Sequence, residues 1–150
     1  MSELADLYQR VVIEHNRRPR HYNKLDPCTH HATGYNPLCG DEVELYLRMD
    51  GNRVREAGFQ GESCAIATAS ASMLTEAVRG LDAEAIRELA RAVSRLIRDG
   101  DPGADEWPAD LDVLGVVSRF PGRSKCAELP WKALTTALDA GSGDTVSTEE

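Results

Sequence analysis

The feature that most limits what this chain can fold into is a strictly alternating stretch at residues 42–49. Apolar side chains occupy every second position there, namely Val43, Leu45, Leu47 and Met49. A period of two is typical of a strand with one buried face. The tight-turn sequence Asp50-Gly51-Asn52 follows, and residues 54–60 return as a second arm. The pattern predicts a β-hairpin, and therefore an antiparallel sheet with one face left for helices to cover.

Before the hairpin, apolar residues at helical spacing predict an N-terminal helix with Ser2 as its N-cap. This helix ends by Arg18, because Pro19 disfavours helical geometry in the residue before it. Residues 21–38 are polar and rich in turn formers, and they predict a loop with one short strand near residues 29–33.

After the hairpin the apolar spacing becomes helical again. One predicted helix has Ser63 as its N-cap and Gly80 at its end, and a second lies between residues 82 and 100. A short helix is predicted at residues 111–117, and a last helix begins at Pro130, since proline is favoured at the first helical position. Apart from the hairpin and one short strand, the chain is therefore predicted to be helices and loops.

This order of elements predicts the α+β class: a single domain in which helices cover one face of a small antiparallel sheet. We expect the domain to span residues 1–138. Residues 139–150 are mostly Gly, Ser, Thr and acidic residues, so they are predicted to form a disordered acidic tail.

Composition restricts the compartment and the partners. No apolar run approaches the ~20 residues that span a bilayer, and the N-terminus lacks the pattern of a signal peptide, so we expect a cytoplasmic protein without a membrane partner. Thiols stay reduced in that compartment, which favours metal binding or catalysis over disulfides for the four cysteines. The net charge of −8 disfavours nucleic acid, whose binding needs Lys and Arg against phosphates.

Three cysteines lie in turn-forming sequence, and one of them is followed closely by a carboxylate. These residues are Cys39, Cys64 and Cys126, with Asp41 two positions after Cys39. Three thiolates and a carboxylate suffice for a tetrahedral Zn²⁺ site. Antiparallel pairing brings the start of one hairpin arm beside the end of the other, so Cys39 and Cys64 are predicted to be neighbours.

Other interpretations of the Cys and His residues stay open. Free cysteines are often simply buried small hydrophobes, and Cys28 has no comparable turn sequence around it, so we take it as a bystander. All four histidines are predicted to be surface or capping residues, with His30 or His31 as an occasional extra ligand. The basic cluster from Arg17 to Lys24 is predicted to be a solvated helix end, with a docking patch for an acidic partner as the alternative.

The chain resembles the U-type (IscU/NifU-like) iron–sulfur cluster assembly proteins, and their SufU branch in particular. The resemblance covers residues 4–138 and rests on four motifs. The first two are Leu7-Tyr8 with His15 and Pro19, and Asn36-Pro37 before Cys39-Gly40-Asp41. The other two are residues 61–65 followed by residues 70–73, and Lys125-Cys126-Ala127 with Leu129-Pro130-Trp131. The IscU branch instead has histidine where this chain has Lys125. Asn16 stands where an aromatic residue is common.

The resemblance implies Zn²⁺ bound by Cys39, Asp41, Cys64 and Cys126. It implies a persulfide-transfer, sulfurtransferase-like role rather than a classical metabolic activity, with Cys39 accepting sulfur from a SufS-type cysteine desulfurase. Arg123 would contact that partner, and a scaffold or reductant would take the sulfur onward. The IscU-branch word for an Hsp70-type chaperone is absent from residues 120–123, which argues against that partner.

Two other functions remain open for the same residues. The first is a scaffold on which an Fe–S cluster is assembled and passed on, which Lys125 disfavours because a cluster-ligating histidine is missing there. The second is a structural zinc module, which Asp41 disfavours because structural sites usually consist of Cys and His alone.

Overall fold

Over the described residues, the structure consists of a four-stranded sheet, four α-helices and one 3-10 segment. The computed structural model describes residues 3–38, 40–103, 107–140 and 142–147. Its strands are β1 (His30–Asn36), β2 (Asp41–Asp50), β3 (Arg53–Gln60) and β4 (Ser142–Ser147). Its helices are α1 (Glu3–Arg17), α2 (Ala65–Ala77), α3 (Ala83–Asp99) and α4 (Pro121–Ala140), with a 3-10 segment at Pro108–Arg119.

The sheet has the order β3-β2-β1-β4, and its first three strands are antiparallel. The predicted hairpin is therefore confirmed, and β1 is longer than the short strand expected near residues 29–33. Strand β4 pairs parallel with β1. It lies in residues for which the sequence predicts a disordered tail, so the structure differs from that prediction over Ser142–Ser147.

Helices cover one face of the sheet, as the α+β prediction requires. In β2 the alternate residues Val43, Leu45 and Leu47 are fully buried in the core. Helix α4 packs on β1 and β2, while α2 packs on β3 and against α1 and α4. Within the described residues, no helix is both long and apolar enough to cross a membrane.

The last helix begins nine residues earlier than predicted. Pro121 lies at its start and Pro130 lies inside it, so the prediction that Pro130 begins the helix is wrong. An internal proline removes one helix hydrogen bond and costs about 3 kcal/mol. Two fully buried leucines of the same helix, Leu129 and Leu134, each contribute roughly 1.5–3 kcal/mol by burial, which offsets that cost.

Candidate metal centre

The hairpin brings the start of β2 beside the segment that leaves β3. The amide of Glu42 donates to the carbonyl oxygen of Glu62 (2.9 Å), which continues the pairing past the end of β3. Gly61 makes this approach possible, because its φ is +131° and a Cβ there would collide with the Glu42 carbonyl oxygen. Asp41 therefore lies next to Cys64. The predicted neighbour of Cys64 is Cys39, which lies outside the described residues.

Cys64 is the N-cap of α2. Its sulfur accepts the amide of Ala67 (3.4 Å), and its own amide donates to Oδ1 of Asp41 (2.9 Å). The prediction that Ser63 caps this helix is wrong, because the Ser63 hydroxyl instead contacts Thr68 Oγ1 at 2.9 Å. The cap leaves Cys64 half-buried at the positive end of the helix dipole, where an anion is favoured.

Cys126 lies inside α4 rather than in a turn ahead of it, as a result of the earlier helix start. It is fully buried. The helix is fastened to α2 next to this residue: the Ser70 hydroxyl donates to the carbonyl of Ala127 (2.7 Å) and accepts from Nε1 of Trp131 (3.0 Å). Sequence reasoning missed this contact, although a buried tryptophan requires an acceptor for its N–H and the Ser-rich start of α2 could have supplied one.

Asp41, Cys64 and Cys126 form one cluster. Their ligand atoms all lie within 4.8 Å of one another. Asp41 is only 4% exposed, and its Oδ2 is buried with no hydrogen-bond partner among the described residues. A buried carboxylate oxygen without a partner is costly unless a cation binds it.

This cluster fits a zinc ion. Two thiols and a carboxylate are a zinc donor set, and sulfur ligands of tetrahedral Zn²⁺ lie ~3.8 Å apart when the Zn–S distance is about 2.3 Å. The upper limit of 4.8 Å on the separations in this cluster is about 1 Å above that value. A fourth ligand is needed from elsewhere.

Cys39, the predicted fourth ligand, lies outside the described residues. The residues on either side of its turn are fixed. Asn36 and Asp41 are paired in the β1–β2 register. The Asn36 side chain accepts the amide of Leu38 (3.1 Å), and its carbonyl accepts the amide of Gly40 (2.9 Å).

Two side chains from other parts of the chain lie near the cluster. Burial raises the pKa of Tyr8 above its ordinary value; the Arg123 guanidinium opposes this shift, and a charged Cys64 thiolate adds to it. Tyr8 of α1 therefore lies close enough to both Arg123 and Cys64 for their charges to affect its pKa. Arg123 is exposed on the first turn of α4, three residues before Cys126.

Helix α1 also fastens the start of α2. The side-chain Nδ2 of Asn16 donates to the carbonyl oxygen of Ala65, the residue after Cys64 (2.7 Å). This contact gives a structural role to the asparagine that departs from the family pattern. About two turns further along α2, the Ser72 hydroxyl lies 2.6 Å from Nδ1 of His15.

His15 is buried, so the prediction that it is a surface or capping residue is wrong. Its partner is 57 residues away in the sequence, which no local pattern shows. His31 stacks on Tyr46 (centroids 4.7 Å apart), on the opposite side of β2 from the core leucines. Cys28 lines the same cavity as those two rings, away from the cluster.

The sequence matches known proteins over most of its length. The family described as NifU-like N terminal domain matches residues 7–127. The zinc-dependent sulfurtransferase SufU of Bacillus subtilis is 37% identical over 133 residues, which are 89% of this chain and 90% of that protein. The iron–sulfur cluster assembly scaffold protein IscU of Streptococcus pyogenes is 36% identical over 92% of this chain and 86% of its own.

The fold agrees with this match. The crystal structure of FiSufU from Fervidobacterium islandicum AW-1 superposes with a TM-score of 0.73 and 26% identity, covering 92% of this chain and 96% of that one. The fold, the metal-type cluster and the sequence matches lead to one conclusion. The chain belongs to the NifU-like N-terminal domain family and is a U-type iron–sulfur cluster assembly protein.

Proposed function

We propose that this chain is a zinc-dependent sulfur acceptor that takes persulfide sulfur from a SufS-type cysteine desulfurase and stimulates it. The observation that supports this best is the buried, unpartnered Oδ2 of Asp41 beside two thiols. A mixed carboxylate and thiolate site suits a zinc ion that must exchange a ligand, since structural zinc sites are usually closed by Cys and His. The name of the Bacillus relative, a zinc-dependent sulfurtransferase, agrees with zinc dependence and with sulfur transfer.

Asp41, Cys64 and Cys126 would hold the ion, with Cys39 as the fourth ligand. Bound zinc would keep these thiols deprotonated and join β2, α2 and α4 at one point. The chain itself supplies the hydrogen bond from the Cys64 amide to Asp41 Oδ1 (2.9 Å), so the other carboxylate oxygen, Oδ2, would be the one to bind the ion.

The burial of the other two thiols supports Cys39 as the sulfur acceptor. Cys126 is 0% exposed, so a sulfur atom on another protein cannot reach it without opening the core. Cys64 is half-buried and its sulfur already accepts an amide. Leu38, the neighbour of Cys39, is 72% exposed, and Cys39 is only two residues from Asp41, so covalent geometry keeps their Cα atoms within ~7 Å.

The transfer needs no oxidant or reductant. The Cys39 thiolate attacks the terminal sulfur of the desulfurase persulfide; a new S–S bond forms on Cys39 and the donor's S–S bond breaks. The desulfurase cysteine leaves as a thiolate and takes up the proton released from the transferred sulfur. We propose that Arg123, exposed near Cys126, contacts the partner and favours the anionic persulfide that forms on Cys39.

The sulfur would then pass to a scaffold or a reductant, in the reducing environment of the cytoplasm. The proposal is tested by incubating the protein with the desulfurase and cysteine and measuring bound sulfur by mass spectrometry. We expect one added sulfur atom on the wild type and on Cys28→Ser, the matched control, and none on Cys39→Ser. Equal sulfur on Cys39→Ser and the wild type would refute the assignment.

The identity of the bound metal distinguishes the proposed sulfur acceptor from a scaffold for cluster assembly. Elemental analysis of the purified protein, followed by anaerobic reconstitution with iron and sulfide, gives a colourless zinc-loaded product if the proposal is right. A stable visible chromophore that disappears in Asp41→Ala would favour cluster assembly at the same residues instead.

A further inference from the structure

A groove between α3 and α4 is independent of the metal centre. It has a volume of about 230 Å³. Its α3 side consists of residues at helical spacing along one face, and its α4 side consists of Glu128, Trp131, Lys132 and Thr135. Glu128 is two positions after Cys126, which turns it about 200° around the helix. The groove is therefore on the opposite side of α4 from the candidate metal ligand.

The floor of this groove is apolar. Val93 is fully buried, and Trp131 and Ala90 are nearly so. The indole N–H of Trp131 is satisfied by Ser70 beneath it, so the surface left to the groove is carbon. An apolar side chain of a ligand would be sheltered there from water.

The rim of the groove is basic. Four cations line it: Arg87, Arg91, Arg98 and Lys132. This contrasts with the chain as a whole, whose net charge is −8.

Two of these cations already have partners. Arg87 pairs with Asp139 (2.7 Å), and Arg98 lies 3.6 Å from Glu128, whose carboxylate also accepts the Ser94 hydroxyl at 2.7 Å. Among the described residues, no ion pair is formed by Arg91 or Lys132.

We propose that this groove binds an acidic segment of a partner protein. Arg91 on α3 is exposed and Lys132 on α4 is partly exposed. Because both residues line the groove, a segment with carboxylates around one apolar anchor residue matches the basic rim and the apolar floor together. The α3 side from Arg87 to Arg98 is ~16 Å long at 1.5 Å per residue, which is the length of about five extended residues. A single small anion would use only one end of that stripe.

The test uses a fluorescein-labelled peptide of acidic residues around a central leucine, titrated into the full-length protein at low salt and followed by anisotropy. The comparison peptide replaces every acidic residue by lysine. We expect saturable, salt-sensitive binding of the acidic peptide alone. The double variant Arg91→Glu/Lys132→Glu should weaken it at least tenfold, since two attractive contacts become repulsive.

Arg55→Glu is the matched control, because Arg55 is an exposed cation on β3 outside the groove; it should bind the acidic peptide like the wild type. Amide shifts in the NMR spectrum should be confined to α3 and α4. Equal binding by the double variant and the wild type, or no binding by the wild type, overturns the proposal.

Two further measurements test for other occupants of the groove, a small anion and a second copy of this chain. If inorganic phosphate displaces the peptide at concentrations where chloride does not, the groove is a small-anion site. If sedimentation shows a wild-type oligomer that the double variant lacks, the occupant is a second copy of this chain. Either result overturns the proposal. The proposal does not depend on sulfur transfer, because Arg91→Glu/Lys132→Glu leaves the metal ligands untouched.

Discussion

Removing one hydroxyl, with Ser70→Ala, should weaken zinc binding although the residue is not a ligand. Ser70 joins α2, which has Cys64 at its N-cap, to α4 next to Cys126. The hydroxyl and its two partners are all buried, and Trp131 is 3% exposed. Alanine leaves the indole N–H without its acceptor, away from water.

The magnitude follows from that unsatisfied donor. A buried polar group left without a partner costs about 1–3 kcal/mol. We take about 2 kcal/mol, which lowers the melting temperature of a 150-residue chain by about 4–8 °C. In the variant, zinc binding must itself supply part of the free energy that holds α2 and α4 together. If that part is ~1.4 kcal/mol, zinc affinity falls roughly tenfold.

The assay is competition for zinc with a chelating dye, together with urea unfolding. The control is Ser94→Ala, which removes another hydroxyl bond to α4, the one to Glu128 (2.7 Å), but away from the cluster. We expect Ser94→Ala to keep wild-type zinc affinity. The NMR signal of the Trp131 indole N–H should move in Ser70→Ala alone. If Ser70→Ala binds zinc like Ser94→Ala, Ser70 has only a packing role and the positioning argument is wrong.

The remaining predictions concern three other positions. Gly61→Ala should lower the melting temperature far more than Gly122→Ala, because only Gly61 has positive φ and a Cβ there would meet the Glu42 carbonyl; equal melting temperatures would contradict this. Asp41→Asn should keep the acceptor for the α2 N-terminus but bind zinc more weakly, and Asp41→Ala should also lose stability; chelator competition and urea unfolding check the order. Burial lowers the pKa of His15, and the positive charge of Arg20 lowers it further. Its stabilising effect is therefore present above the unfolded value of about 6.5 and is lost as pH falls, so the stability difference between wild type and His15→Gln should shrink from pH 7.5 to 5.5 in unfolding curves.

Local pattern was enough to predict the elements whose signals are local. The hairpin follows from alternation, and α3 from its caps: Asp82 accepts the amide of Ala85 (2.8 Å), and Gly100 ends the helix with φ of +81°. Hairpin pairing also predicts Cys39 beside Cys64, and Asp41, two residues after Cys39, accepts the Cys64 amide.

The wrong predictions concern features that depend on contacts between distant parts of the chain. Pro130 is a helix-start signal by itself, but α4 begins at Pro121 because its apolar residues pack on β1 and β2. His15 continues the apolar helical spacing of α1, but only Ser72 on another helix shows how its buried ring is hydrogen-bonded. Cys64 rather than Ser63 caps α2 because Asp41 holds its amide.

The three described residues of the proposed metal site come from regular structure, and this decides which proposed ligand can exchange at least cost. Asp41 begins a ten-residue strand, Cys64 caps a thirteen-residue helix and Cys126 lies inside α4. Releasing Cys126 from a bound ion would uncover a fully buried thiol, and moving Cys64 would break its contacts with Ala67 and Asp41. Cys39 is the one predicted ligand that belongs to a turn sequence between two strands, so its release would break none of these contacts. This is the physical reason for assigning sulfur acceptance to Cys39 and anchoring to the other three.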